Sequence, residues 1–126
     1  MVNNAKILII EDDKDMANAI KMRLEANNYE VLVENDGMEG LNRARNEKPD
    51  LLILDVMLPK IDGFNICRML KFDEKYKKLL VIILSAKVQQ TDIDRGGEVG
   101  ADAYMAKPFK SEELLAKIEE LLHARH

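Results

Sequence analysis

The chain has 126 residues, 47% hydrophobic and 33% charged, with a formal net charge of −4. This suits one globular domain with one core, and the acidic balance argues against a nucleic-acid-binding surface, which is usually basic. Cys67 is the single cysteine, which excludes an internal disulfide, and we interpret it as a small, half-buried helix residue. The sequence shows no signal peptide and no stretch of transmembrane length, so we expect a cytoplasmic protein without membrane contact.

The first half of the chain carries two predicted strand–helix units. A continuously apolar run at residues 7–10 predicts the first strand, and the acidic residues Asp13 and Asp15 that follow suit the N-terminus of a helix. Residues 31–33 predict the second strand, and Asp36 opens the second helix. Each unit therefore pairs one short strand with one amphipathic helix.

The second half carries three more units. Residues 51–54 and 79–84 are continuously apolar, which is typical of strands covered on both faces in a parallel sheet. Residues 104–105 mark a weaker fifth strand, the third helix is predicted over residues 64–71, and the last helix begins at Ser111.

The helix between the fourth and fifth strands is the weakest prediction. It is expected within residues 88–99, but Gly96 and Gly97 lie inside it, and a glycine in a helix interior costs roughly 1 kcal/mol relative to alanine. The two glycines indicate either poor packing or a helix that is built to shift, and the local sequence does not decide between them.

Five alternations of strand and helix predict an α/β fold. Right-handed crossovers give a doubly wound five-stranded parallel sheet, for which the order 2-1-3-4-5 of flavodoxin-like three-layer sandwiches is the common choice. We expect residues 1–126 to form a single domain, with frayed ends at residues 1–4 and 124–126.

Polar residues follow four of the predicted strands at the point where each ends. Glu11 and Asp12 follow the first strand, Asp55 the third and Ser85 the fourth, and Lys107 lies in the loop after the fifth. Since the carboxyl ends of parallel strands meet at one edge of the sheet, these side chains are expected to lie close together. Each residue is weak evidence alone. An interpretation in which all of them have only structural roles would need four unrelated coincidences at one edge of the sheet.

The chemistry of this group points to phosphoryl transfer. Ionised carboxylates repel one another unless a divalent cation lies among them, and side-chain ligands that are all oxygens favour Mg²⁺. The two histidines, His123 and His126, lie at the far C-terminus. A carboxylate such as Asp55 can attack phosphorus to give an acyl phosphate while the cation and Lys107 screen the charge.

The motifs "ILIIEDD", "LDVMLPKIDGF", "VIILSA" and "GADAYMAKPF" occur in this order. Together they resemble the receiver domain of a two-component response regulator over essentially the whole chain. The resemblance implies Asp55 as the phosphoacceptor, Asp12 as a direct Mg²⁺ ligand and Glu11 as a ligand through water. It also implies the backbone carbonyl of Met57 as a ligand. Asp12 with Asp13 is the alternative acidic pair, but Asp13 is better placed as a helix cap.

The resemblance further implies a switch. Ser85 is the switch hydroxyl, Lys107 binds the phosphoryl group, and Tyr104 is the aromatic residue that rotates when Ser85 is drawn inward. The Lys107–Pro108 bond is expected to be cis. The face made by the fourth helix, fifth strand and fifth helix then shifts.

The resemblance also implies a phosphoryl donor and a target. The phosphoryl donor is a histidine kinase, a phosphotransfer protein or a small phosphodonor, and the target is a downstream protein or an output domain. No direct nucleic-acid binding by this domain is expected. Both a stand-alone regulator and the receiver part of a longer one fit the sequence, as do a monomer and a phosphorylation-dependent dimer.

The sequence departs from the family pattern at three positions. Ile93 and Ala103 stand where charged partners of a known dimer mode are expected, which disfavours that mode. Met57 is apolar beside the phosphoacceptor and offers no polar group to orient an attacking water. We therefore expect slow loss of the phosphoryl group.

Three other interpretations fit parts of the sequence. A haloacid dehalogenase-type phosphatase also uses an aspartyl nucleophile and Mg²⁺, but usually has a second Asp where Met57 stands. A flavodoxin-like electron carrier has the same fold, but "EDDKD" would repel a flavin phosphate. A degenerate receiver that acts only as an interaction module is disfavoured by the full set of site residues.

Overall fold

Strand and helix alternate five times along residues 4–86 and 89–124, which the computed structural model describes. The elements in chain order are β1 (Lys6–Ile10), α1 (Lys14–Glu25), β2 (Glu30–Glu34), α2 (Gly37–Glu47), β3 (Leu51–Asp55), α3 (Gly63–Lys71), β4 (Leu80–Ser85), α4 (Gln90–Glu98), β5 (Ala103–Ala106) and α5 (Ser111–Ala124). The predicted alternation is confirmed, with boundaries that shift by one or two residues.

All strand pairs in the sheet are parallel, and the order is β2-β1-β3-β4-β5. This confirms the predicted doubly wound, flavodoxin-like sandwich. Every residue of β3 and β4 is buried, which explains why their sequences are apolar up to the last residues, Asp55 and Ser85. The point where the strand order reverses lies between β1 and β3, so the end of the central strand meets the end of the first.

Two apolar clusters fill the space on either side of the sheet. One packs α1 and α5 against the face that carries Ile9 and Ile53, and the other packs α2 and α3 against the face that carries Leu54 and Ile83. Successive strand residues alternate between the two clusters, as the pleat requires. The helices therefore cover both faces and leave the edge beyond the strand ends open to solvent.

Aspartates begin three of the helices. Asp13, Asp36 and Asp62 each accept a backbone N–H from the first turn of α1, α2 and α3, at 2.8–3.1 Å. Such caps satisfy donors that the helix itself leaves free and favour the positive end of the helix dipole. The prediction that Asp13 serves as a helix cap is thus confirmed.

Helix α4 begins at Gln90, and residue 88, where the predicted region started, lies outside the described residues. All nine residues of α4 are described, and Gly96 alone is buried. A Cβ built on Gly96 would lie 2.8 Å from Cδ2 of Tyr104, whereas one on Gly97 would meet nothing within 4 Å. Gly96 therefore has a packing role that the sequence did not indicate.

Cys67 is fully buried on the inner side of α3, so its interpretation as half-buried was wrong. Its Sγ donates a hydrogen bond to the backbone carbonyl of Val99 at 3.5 Å. Burial raises the pKa of this thiol to about 12, so the thiolate is scarce at neutral pH. The residue belongs to the core.

The chain ends were expected to fray at residues 1–4 and 124–126. Residues 1–3 and 125–126 lie outside the described part. Asn4 donates its N–H to the carbonyl of Asn28 at 2.7 Å, and Ala124 ends α5. Within the described part of the chain, no helix has both the length and the hydropathy needed to cross a bilayer.

Candidate functional site

Asp55 ends the central strand β3 and is almost completely buried. Its Oδ1 accepts the backbone N–H of Met57 at 3.1 Å, which orients the carboxylate toward the loop that follows. The start of α3 comes back close to this point, because a Cβ on Gly63 would lie 2.5 Å from the carbonyl oxygen of Asp55. Glycine is therefore required there, and the loop of residues 56–62 closes tightly behind the phosphoacceptor candidate.

Glu11 follows β1 and is buried beside Asp55. Its Oε1 accepts a hydrogen bond from Nζ of Lys107 at 2.6 Å, and its Oε2 accepts the backbone N–H of Asp13 at 3.1 Å. Burial is the main cause that raises the pKa of Glu11 to about 7; the hydrogen bonds from Lys107 and Asp13 oppose the rise, and the charge of Asp55 adds to it. A positive ion among these carboxylates would favour the ionised form.

Lys107 is placed by the backbone as well as by its charge. Its N–H donates to the carbonyl of Ser85 at 2.8 Å, and its Nζ lies 2.6 Å from Glu11 and 3.5 Å from Oδ2 of Asp55. Burial favours the neutral amine, but the hydrogen bond to Glu11 and the charge of Asp55 outweigh it and raise the pKa of Lys107. The residue is thus an ammonium at neutral pH. The peptide bond to Pro108 is cis, as expected.

Glu11, Asp12 and Asp55 form the candidate metal site. One carboxylate oxygen from each lies within 4.8 Å of the others. Asp12 is exposed, whereas the other two are buried, so the group opens to solvent on the side of Asp12. A donor set of carboxylate oxygens, with a lysine already balancing part of the negative charge, fits Mg²⁺ with retained waters.

The two predicted switch residues lie on β4 and β5. Ser85 ends β4 and is fully buried, next to the strand that carries Asp55. Tyr104 is half-buried on β5, where its ring stacks on the ring of Phe64 with centroids 6.5 Å apart. The strand ends therefore bring Glu11, Asp55 and Lys107 into direct contact, whereas Tyr104 lies against α3 and α4.

The sequence analysis did not predict two sets of contacts that lie around the candidate site. Nδ2 of Asn35 donates to the carbonyl of Glu11 at 2.8 Å, which ties the end of β2 to the acidic loop. Asp62, Phe64 and Arg95 contact one another between α3 and α4. A polar residue after β2 could have suggested the first contact, but no local pattern indicates the second.

Comparison with known proteins decides the family. The model of the response regulator receiver domain matches residues 7–119. The chain belongs to this family. Its sequence is 40% identical over 121 residues to the alkaline phosphatase synthesis transcriptional regulatory protein PhoP of Bacillus subtilis, covering 94% of this chain and 49% of that protein.

Other members of the receiver family agree. The response regulator ArlR of Staphylococcus saprophyticus is 44% identical over 117 residues, which cover 93% of this chain and 52% of ArlR. The CheY-like response regulator receiver domain protein of Methanospirillum hungatei superposes with a TM-score of 0.90 at 29% identity, covering 96% of this chain and 95% of that structure. The chain spans about half the length of the curated relatives it matches.

The family assignment confirms the resemblance drawn from the four motifs. The chain is a receiver domain, a signalling domain of two-component response regulators. Membership of this family decides against two of the other interpretations, a phosphatase of the haloacid dehalogenase type and a flavodoxin-like electron carrier. The acidic cluster stands where the site was predicted.

Proposed function

We propose that this receiver accepts a phosphoryl group on Asp55 in a Mg²⁺-dependent reaction and thereby controls a partner or an output domain. The observation that carries the proposal is the position of Lys107, whose ammonium lies between Glu11 and Asp55 at one edge of the sheet. A partly buried ammonium among carboxylates is suited to receive a further anionic group, because it can exchange a carboxylate partner for phosphoryl oxygens.

Mg²⁺ would be held by Asp12 and Asp55, by the backbone carbonyl of Met57 and, through water, by Glu11. The ion supplies charge neutralisation for the phosphoryl oxygens. Asp12 is the exposed member of the acidic group and so offers the side from which an ion enters.

Asp55 acts as the nucleophile. One carboxylate oxygen forms a bond to phosphorus while the bond from phosphorus to the donor atom breaks, and the electron pair of that bond leaves with the donor. The hydrogen bond from the N–H of Met57 to Oδ1 fixes the other oxygen of the carboxylate. Lys107 and the hydroxyl of Ser85 bind the transferred group.

The donor is a histidine kinase, a phosphotransfer protein or a small phosphodonor. Phosphorylation draws Ser85 toward the phosphoryl group and lets Tyr104 rotate, so that the surface of α4, β5 and α5 changes and is recognised by a target. The domain works in the cytoplasm, without direct nucleic-acid binding or membrane contact, as a monomer or as a phosphorylation-dependent dimer.

Incubation with acetyl phosphate and Mg²⁺, followed by intact mass measurement, tests this function. The wild type should gain one phosphoryl group, and Asp55→Asn should gain none. Asp13→Asn is the matched control, since asparagine keeps the cap of α1 and the residue lies outside the candidate metal group. Labelling of Asp55→Asn, or loss of labelling in Asp13→Asn alone, would reassign the nucleophile.

A further inference from the structure

Arg95 joins α4 to the start of α3. Its Nη2 lies 3.2 Å from Oδ2 of Asp62, and its Cζ lies 4.5 Å from the centroid of the Phe64 ring. Because Gly96 is the one buried residue among the nine of α4, this helix has little apolar anchorage of its own. The contacts of Arg95 are therefore a substantial part of what holds α4 in place.

The two partners of Arg95 belong to the phosphoacceptor side of the domain. Asp62 ends the loop of residues 56–62 that follows Asp55, and its other oxygen, Oδ1, caps α3 by accepting the N–H of Phe64 at 2.8 Å. Phe64 is 1% exposed, and its ring stacks on that of Tyr104. One arginine thus contacts the end of the site loop and the aromatic pair that reaches β5.

We propose that Arg95 is a positioning residue that fastens α4 to the loop of residues 56–62, so that rearrangement of this loop and displacement of α4 are energetically coupled. The functional meaning of the loop rests on the proposed phosphoacceptor role, whereas the clamp rests on the contacts of Arg95 with Asp62 and Phe64. Coupling of this kind is reciprocal: what loosens α4 also loosens the loop.

The chemistry of arginine suits both contacts at once. A guanidinium is flat and lies over an aromatic ring, and it presents several N–H donors, so one can reach a carboxylate. Lysine keeps the positive charge for Asp62 but lacks the flat face for Phe64. The two halves of the clamp are therefore separable by substitution.

Hydrogen exchange of the full chain, without metal or phosphodonor, measures the clamp. Arg95→Ala should lower the protection of amides in both segments, residues 57–62 and 90–98, by roughly threefold to thirtyfold, the range that an exposed ion pair plus a cation–π contact supplies. Arg95→Lys should recover part of the protection. Arg68→Ala is the matched control, an exposed arginine of α3 for which the described residues provide no ion pair.

Asp62→Asn separates the clamp from a general loss of stability. Asparagine keeps the N-cap of α3 but removes the charge that Arg95 meets. We expect protection in α4 to fall although the substitution lies outside that helix. Unchanged protection of both segments in Arg95→Ala, or an Arg68→Ala variant that loosens them equally, would overturn the proposal.

A second measurement distinguishes the clamp from the proposed function. Beryllofluoride with Mg²⁺ should alter exchange of residues 57–62 in the wild type, and the change should extend to α4. In Arg95→Ala the loop should still respond, while the response of α4 should fall by about half or more, since a contact of this strength carries a large part of a typical coupling. A loop that does not respond in the wild type refutes the phosphoacceptor proposal. An α4 response that is equal in both proteins refutes the coupling.

Discussion

Replacing Gly96 with alanine places a methyl group against the Tyr104 ring, and Gly97 provides the matched control one residue further along α4. The added Cβ at position 96 would lie 2.8 Å from Cδ2 and 3.3 Å from Cε2 of Tyr104, closer than carbon atoms ordinarily approach. The same atom at position 97 would meet nothing within 4 Å. Both substitutions exchange glycine for alanine at adjacent positions in the last turn of one helix, so their helix propensities should change by similar amounts.

The two variants differ only in the packing cost. Alanine stabilises a helix by up to about 1 kcal/mol relative to glycine, and at position 97, where the added Cβ meets no other atom, this gain is the effect expected on the free energy of unfolding. Overpacking a well-filled contact costs about 1–3 kcal/mol. Gly96→Ala should therefore be neutral or destabilised, and the two variants should differ by about 1–3 kcal/mol.

Urea unfolding of the three proteins, followed by circular dichroism, measures this difference. In a Tyr104→Ala background the ring is gone, and Gly96→Ala should then stabilise the domain as much as Gly97→Ala does. This double-mutant cycle assigns the cost to the Tyr104 contact. If Gly96→Ala stabilises the wild type as strongly as Gly97→Ala, the close approach of α4 to Tyr104 is not what requires the glycine.

Two predictions concern the site itself. The pKa of Glu11 is raised from 4.5 to about 7, so between these pH values the folded protein keeps a proton on Glu11 that the unfolded chain loses. The contribution of Glu11 to the free energy of unfolding should therefore fall as the pH rises through this range, by at most roughly 3 kcal/mol. Urea titrations of the metal-free protein should show this fall relative to Glu11→Gln, and parallel pH curves would contradict it. Met57→Asn should speed loss of the phosphoryl group by about tenfold, because the asparagine side chain can orient an attacking water, whereas the control Met69→Asn, at another exposed methionine, should not. Mass spectrometry of the decaying label measures both rates, and an unchanged rate in Met57→Asn would refute the role given to Met57.

The fold was predictable largely because three of its strands, β1, β3 and β4, are buried on both faces. Residues 51–54 can be read from their apolar composition alone, and five such units with short connections leave few topologies. The positions of the candidate site residues followed from the same logic, since Asp55 ends β3 and Glu11 and Lys107 come directly after β1 and β5. The parallel sheet converts positions that are far apart in sequence into neighbours.

The rest depended on distances between helices, which carry no periodic pattern. The pair Arg95–Asp62 joins residues 33 positions apart, and nothing near either residue marks its partner. The sequence leaves open whether Gly96 marks poor packing or a helix that shifts, and its contact with the ring of Tyr104 is visible only in the structure. Cys67 was judged half-buried because a small polarizable side chain fits either location, and only the packing of α3 on the sheet settles which.

The sparse burial of α4 also bears on how this domain can diverge. Thr91, Asp94 and Glu98 face solvent, so substitutions there do not disturb the core. Exposed positions away from packed contacts usually change stability by less than about 0.5 kcal/mol. The surface chemistry of this helix can therefore change at little cost to the fold, while Gly96 keeps the helix packed against Tyr104.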